Sequence, residues 1–329
     1  MRLTDDQLTL RHTVRRLLAA SPPDLWQRLV DLGAPALLVP EDHGGLGAGL
    51  AEVYTVQYEL GATLAGTPLL SSVLAATALP PGQTLTAVAG GTVAALAWSA
   101  PDQATGRVTG QVTGRVTEQA GRLTGRVTHV LDGDTAEILL VAAGDTLHRV
   151  DPAHASVTHT PALDPTRPLA TVDLDHTPAE PLGPFDADRV RDVACTALAA
   201  EQAGTAARCL ELTVAHTLLR RQFGRPIGSF QALKHRMADL HVLVTTAESA
   251  AMAAALADPA DLPVRAAAAA AHCAEALRTV AGEMIQLHGG IAITWDHDAH
   301  RYLRRAHGGG QLFGTPAAHV DRLARLVGF

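Results

Sequence analysis

The sequence predicts an α+β fold in three parts: an N-terminal helical domain over 1–82, a small middle β domain over 83–183, and a C-terminal helical bundle over 184–329. Three observations predict it. Apolar residues recur at helical spacing in both outer parts, where Ala and Leu dominate and lose little side-chain entropy in a helix. Between them the pattern shortens to strand-like runs, TLTAVAG, TVAALAW, AEILLVAA, TLHRV and ATVDLD. Aromatics are only 3% against a hydrophobic fraction of 47%, so the core is built from Ala, Leu and Val.

In order along the chain, Thr4 or Asp5 caps a first helix on which Leu8, Val14, Leu17 and Leu18 recur. Pro22 and Pro23 stop it and start a second helix over Asp24–Leu32, which ends at Gly33. A glycine-rich loop, LVPEDHGGLGAG, covers Leu38–Gly49, and helices follow over Leu50–Ala62 and Ser71–Leu79. Within the β part, GRVTG, GRVTE and GRVTH recur over Thr105–Thr128. Alternating Val and Thr between glycines suits a hairpin with one half-buried face. Its arginines read either as solvated strand residues, the simpler account, or as a stripe for polyanions. After Pro184 the helical spacing returns over Asp186–Arg220, Ser229–Ala257, Pro263–Leu287, Ala299–Ala306 and Pro316–Val327, which suits a long antiparallel bundle.

Composition excludes several function classes. A net charge of -7 argues against a nucleic-acid or anionic-membrane surface, although Arg220, Arg221 and Arg225 form a local basic cluster. Cys195, Cys209 and Cys273 have no metal-type spacing, and their odd number fits reduced thiols. The N-terminus carries acids where a signal peptide needs a basic start, and no apolar run is long enough to span a bilayer, so a cytoplasmic location is expected.

Two segments carry most of the functional signal. In RRQFGRPIGSFQAL, Arg220–Leu233, Arg220 ends a helix, Phe223-Gly224 makes a turn and Gln231 opens the next helix. The guanidinium fork suits pyrophosphate oxygens and the Gln231 amide a neutral partner; the alternative is a surface Arg beside a packed Phe. In MIQLHGGIAITWDHDAHRYLRRA, Met284–Ala306, Gln286 closes a helix and Gly289-Gly290 permits close backbone approach, or is simply a glycine stop. Asp296, His297, Asp298 and His300 offer metal-type ligands, but only Asp296 and His300 share a helical face and no further ligand group is evident.

Both segments, together with VPEDHGGLGAG and the helix–β–helix order, resemble the acyl-CoA dehydrogenase family over nearly the whole chain. The resemblance implies an acyl-CoA dehydrogenase-like fold, FAD as cofactor and an acyl-CoA substrate. By it, Arg220, Phe223 and Gln231 hold the adenosine diphosphate half of FAD across a subunit interface, and Gln286, Gly289 and Gly290 add contacts to the adenosine end. A usual third glycine is Ala292 here. TWDHDAH is similar to a segment of short family members that need no metal.

The chemistry of the family requires a carboxylate base for the proton at Cα. Counting without gaps from Gln286–Gly290, the usual base position falls at Phe313; the alternative position, on the first long bundle helix, falls at Ala194, followed by Cys195. Thr315 matches a family threonine that contacts FAD, while an expected amide two residues later is Ala317, and no T-E-P-x-A-G-S-D-like segment is present. This combination is similar to the base-lacking subunits of heterotetrameric bacterial acyl-CoA dehydrogenases of steroid catabolism, with an α2β2 assembly and a homologous base-bearing partner. A self-sufficient homo-oligomer would have to use Glu201, Glu275 or Glu283, for each of which helical phase predicts surface or interhelical pairing. A flavin-free scaffold is the non-enzymatic alternative.

Overall fold

The computed structural model describes residues 2–98 and 116–329. Its first half contains the helices α1 (Asp5–Ala19), α2 (Leu25–Asp31), α3 (Leu50–Thr63), α4 (Leu69–Ala78) and α5 (Gln83–Ala89). Strands follow: β1 (Ala94–Ala97), β2 (Thr117–Gln119), β3 (Arg122–Leu131), β4 (Ile138–Ala143), β5 (Thr146–Val150), β6 (Ser156–His159), β7 (Leu169–Pro178) and β8 (Glu180–Pro184). The remainder is helical, with α6 (Ala187–Leu219), α7 (Gln231–Ala255), α8 (Leu262–His288), α9 (Ala299–Gly309) and α10 (Pro316–Val327). Two short strands, β9 (Arg221–Gln222) and β10 (Arg225–Pro226), lie between α6 and α7.

The helix ends follow local chemistry. Thr4 and Gln7 form a reciprocal capping box at α1: the Gln7 amide N–H donates to Thr4 Oγ1 at 3.3 Å, and the Thr4 N–H to Gln7 Oε1 at 2.9 Å. Gly33 takes a left-handed φ of 79° immediately after α2, as a helix stop demands. One element departs from the sequence reading. TLTAVAG, expected as a strand, is most of α5, because Leu85, Val88 and Ala89 fall on one helical face and are buried. A run this short satisfies both periods, and burial decided between them.

The chain divides into two compact units, each assembled from separate stretches. One comprises Ala19–Val53 and Gly66–Ala194. It holds two four-stranded sheets, ordered β1-β4-β5-β8 and β2-β3-β7-β6. The β1–β4 pair is parallel and every other pair in the two sheets is antiparallel. Leu123, Val127 and Val172 from one sheet share a core with Ala95, Leu139 and Val141 from the other. The hairpin expected from the GRVT repeat is β2–β3, turned at Ala120-Gly121 with φ of 52° and 74°; the first repeat copy lies outside the described residues. Its arginines are occupied within the sheet: Arg122 donates to the His176 carbonyl at 2.8 Å, and Arg126 pairs with Asp173.

The other unit joins Met1–Leu18, Tyr54–Ala65 and Cys195–Phe329, so parts of the N-terminal helices pack into the bundle. Here the small residues matter. A Cβ on Gly61 would lie 2.1 Å from the Glu201 carbonyl oxygen, and one on Gly204 would lie 1.9 Å from that of Tyr58. α3 and α6 therefore cross backbone to backbone, which only glycine permits. Thr205 Oγ1 donates to the Gly61 carbonyl at 3.0 Å at the same crossing. Buried Glu59 receives Arg11 at 2.7 Å and Arg15 at 2.8 Å, tying α1 to α3. No helix among the described residues is long and apolar enough to cross a membrane.

Candidate functional site

Most of the residues read from the two motifs gather where α6 and α8 end. α6 stops at Leu219, and Arg220 follows it, exposed. Its N–H donates to the His216 carbonyl at 2.8 Å and its carbonyl accepts from Ile227 at 2.8 Å, which closes the base of the β9–β10 hairpin. The hairpin turns through Phe223 and Gly224 at φ of 52° and 75°. Such a two-residue turn needs positive φ at both positions, free of cost for glycine and strained for phenylalanine. The Phe223 ring is 91% exposed, edge-on to Phe230 at 6.0 Å, with Arg225 lying 4.0 Å over the Phe230 ring. A bulky ring held out from a strained turn gains no burial from its own chain. Gln231 is the first residue of α7, and its side-chain nitrogen lies 2.9 Å from His235 Nε2.

At the end of α8, Gln286 is exposed and Gly289 adopts φ 67° and ψ −148°, a conformation close to exclusive to glycine. A Cβ at Gly289 or Gly290 would meet nothing within 4 Å. The chain's own packing leaves this backbone open to close approach from outside. Ala292, at the third-glycine position, is fully buried in the bundle core and leaves that open face unaffected.

Histidines join the two helix ends. The His216 ring of α6 stacks on the His288 ring of α8 at 4.3 Å, and His297 lies 4.8 Å from His288. Burial lowers the pKa of both His216 and His288; His297 and Arg220 push His216 further down, and the other two imidazoles do the same to His288. This contact joins the end of α6, which Arg220 follows, to the end of α8, which Gly289 and Gly290 follow. None of the three histidines was singled out for this role from the sequence, although His216 lies one helical turn before Arg220, and His288 lies inside the second motif.

Thr315 belongs elsewhere. Its hydroxyl caps α10, accepting from the Ala318 N–H at 3.2 Å. Neighbouring Gly314 packs against His319, whose Nε2 lies 3.9 Å from Cys195 Sγ near the start of α6. Cys195 and Arg220 are separated by roughly 37 Å of helix at about 1.5 Å per residue. The motif residues therefore form two separate groups on this chain.

Phe313 and Ala194, the two positions read for the base, carry no acid; both are buried, Phe313 with a positive φ of 60°. The other candidate carboxylates are engaged. Glu201 Oε1 accepts from Arg305 Nη1 at 2.8 Å, with both side chains buried. Glu275 pairs with Arg278 at 2.7 Å on the surface, and Glu283 accepts from Arg236 Nε at 2.8 Å between α8 and α7. The Asp296–His300 stretch holds no metal-type group among the described residues. Asp296 precedes α9 rather than sharing its face with His300, and the exposed Trp295 ring lies against His300 and Arg304 instead.

An exposed guanidinium, an unpacked aromatic ring and an open glycine backbone fit the diphosphate and adenosine portion of a dinucleotide. Neither Phe313 nor Ala194 carries a group that can accept a proton.

Comparison with known proteins identifies the family. Residues 4–83 match the acyl-CoA dehydrogenase N-terminal domain and residues 192–328 the acyl-CoA dehydrogenase C-terminal domain. Acyl-CoA dehydrogenase IpdE2 of Mycolicibacterium smegmatis is 39% identical, over 99% of this chain and 100% of its own length. Its counterpart in Mycobacterium tuberculosis is 43% identical, over 92% of this chain and 86% of its own. Among solved structures, the ChsE4-ChsE5 complex of M. tuberculosis superposes with a TM-score of 0.86 at 28% identity, over 99% of this chain and 98% of the other. The Tcur3481-Tcur3483 steroid ACAD gives 0.84 at 26%, over 98% of each chain. The chain belongs to the acyl-CoA dehydrogenase family, whose cofactor is FAD.

Proposed function

We propose that this chain is a subunit of an FAD-dependent acyl-CoA dehydrogenase that introduces an α,β double bond into an acyl-CoA thioester, and that it lends flavin-binding surface to a homologous partner carrying the base. The observation that carries this reading is the contrast between the two groups of motif residues. The Arg220 group is exposed and open, whereas Phe313 and Ala194, at the positions read for the base, are each buried and cannot accept a proton. Likeness to structures described as a two-protein complex and as a steroid ACAD supports a partner subunit and a steroid-derived acyl group, and an α2β2 assembly is the stoichiometry proposed.

Desaturation removes a proton from Cα and a hydride from Cβ, and bound FAD supplies the hydride acceptor. Arg220 donates charge-assisted hydrogen bonds to the diphosphate, Gln231 bonds the same half through its neutral amide, and Phe223 offers a ring face. Gly289 and Gly290, with Gln286 beside them, let main chain approach the adenosine end. Thr315 follows Gly314, which packs with His319 near Cys195, roughly 37 Å of helix from Arg220 at about 1.5 Å per residue, so it would contact a different flavin from the one Arg220 would hold. The base is the partner's, because the α-proton of a thioester does not leave without a positioned acceptor.

The test compares this chain alone with the chain co-expressed with a base-bearing homologue, reading flavin absorbance and dye reduction with steroid and straight-chain acyl-CoAs. Activity only in the complex is expected; general base catalysis supplies about two to four orders of magnitude. Robust turnover by the lone chain would instead favour a self-sufficient homo-oligomer. Absence of flavin from both preparations would favour a scaffold.

A further inference from the structure

The three imidazoles between α6 and α8 are not explained by a flavin grip alone. We propose that His216, His288 and His297 form a positioning stack that holds Arg220 and the Gly289-Gly290 backbone in register for the diphosphate half of FAD, and that it does so only while its imidazoles are neutral. The inference rests on the flavin-gripping role proposed above.

Hydrogen-bond chemistry fixes two of the protons. The Ala299 N–H can only donate, so His297 Nδ1, 3.1 Å away, must be its acceptor and carry no proton. A proton arriving there would break the bond that secures the start of α9. The Met284 carbonyl can only accept, so His288 Nδ1 at 2.8 Å donates to it, leaving Nε2 to take any further proton. His288, only 7% exposed, is the middle ring, with neighbours at 4.3 Å and 4.8 Å. Each proton added to the stack therefore meets a ring able to carry like charge.

The charged groups around the stack oppose protonation as well. Arg220 acts on His216 from the end of α6, and the imidazoles act on one another across α6, α8 and the segment before α9. Asp296 and Asp298 flank His297 but are exposed, and Asp298 accepts from Arg301 at 3.0 Å. His216 and His288 titrate below the ordinary 6.5, first for desolvation and then for these neighbours. Their contribution is whole above pH 6.5 and is lost as pH falls through and below it, since the released state binds the extra proton more readily. Once lost, the end of α6 carrying Arg220 is no longer tied to the turn carrying Gly289.

The consequence runs against the simple expectation for a diphosphate, which an additional imidazolium would attract. That opposition makes the proposal testable in the full chain assembled with its base-bearing partner and loaded at pH 8. The readout is flavin fluorescence released on equilibration at stepped pH, with a circular-dichroism melt to confirm folding. Wild type should bind FAD more weakly at pH 5.5 than at pH 7.5, by up to about tenfold, the limit for one coupled proton. His288→Phe keeps a ring to stack and removes the central titration, so its affinity should vary less than about threefold over that range. His288→Asn keeps a donor for the Met284 carbonyl and removes the stack, so it should hold FAD weakly at every pH. Parallel pH profiles for wild type and His288→Phe would overturn the proposal, as would full FAD affinity in His288→Asn. Tighter binding by wild type at pH 5.5 would overturn it too, the imidazolium then serving as an added cation. Wild type with no FAD at pH 8 would overturn the flavin-gripping role itself, and this inference with it.

Discussion

At the residue scale, the proposed flavin grip rests on side chains that their own chain does not need. Arg220 and Phe223 are exposed at a hairpin whose turn strains Phe223, and the open face of Gly289-Gly290 meets nothing within 4 Å. Arg220→Ala should loosen FAD in the assembled oligomer by the equivalent of about 1.5–3 kcal/mol, the range for a charge-assisted hydrogen bond. Gln231→Ala should cost less, about 0.5–1.5 kcal/mol, since its bonds are neutral. Equilibrium dialysis against FAD measures both, and undiminished affinity in the two variants would refute the assigned grip. Much of this was legible in the sequence, because an Arg, a Phe-Gly turn and a Gln lie within one short segment. The stack of His216, His288 and His297 was not, since it joins His216 to two histidines of a segment far away in the chain.

At the element scale, a buried acid pins α4 to the turn after β3. Asp132 Oδ2 lies 2.6 Å from Ser71 Oγ, which is also 2.9 Å from the Pro68 carbonyl. The serine hydroxyl has one proton for two acceptors, and a protonated Asp132 resolves the shortage by donating to Ser71. Burial raises the Asp132 carboxyl to about 6, against the opposing pull of the Ser71 hydrogen bond and of Arg167. The folded state thus holds this proton more tightly than the unfolded chain, whose ordinary value is 3.8. The stabilisation is whole below pH 3.8 and is lost as pH rises through about 6. Asp132→Asn retains a donor toward Ser71 and carries no charge. It should be more stable than wild type by about 1–3 kcal/mol near pH 8 and equal to it near pH 3.5. Denaturant melts at the two pH values decide this; a variant weaker than wild type near pH 8 would mean that the ionised carboxylate is the stabilising form.

At the scale of the whole molecule, the two groups of motif residues lie too far apart along α6 to serve one flavin. Each intact site in the proposed assembly then needs one half from this chain and the other from the partner. The α2β2 complex should carry about two FAD per four chains, which native mass spectrometry reads directly; the separation along α6 on which this rests follows from about 1.5 Å per helical residue. Four FAD per tetramer would mean that this chain completes a site with its own Thr315 region. The paired state of Glu201, Glu275 and Glu283 bears on the same point, since none of them offers an unengaged carboxylate to a substrate.

The sequence by itself determined most of the helices, their ends and the lack of an acid at positions 313 and 194. Caps such as Thr4 with Gln7, stops such as Gly33 and the 3.6-residue recurrence are properties of a few neighbouring residues, and Phe313 and Ala194 cannot accept a proton in any fold. Only the tertiary structure decided that TLTAVAG is a helix, that β1 pairs in parallel with β4, and that Gly61 and Gly204 let α3 and α6 touch. It alone gave Glu201 its partner in Arg305 and set three histidines in a stack. The physical reason is range. Backbone propensity and capping act within a turn or two of helix, whereas burial and side-chain pairing depend on which distant segments the closed core brings together.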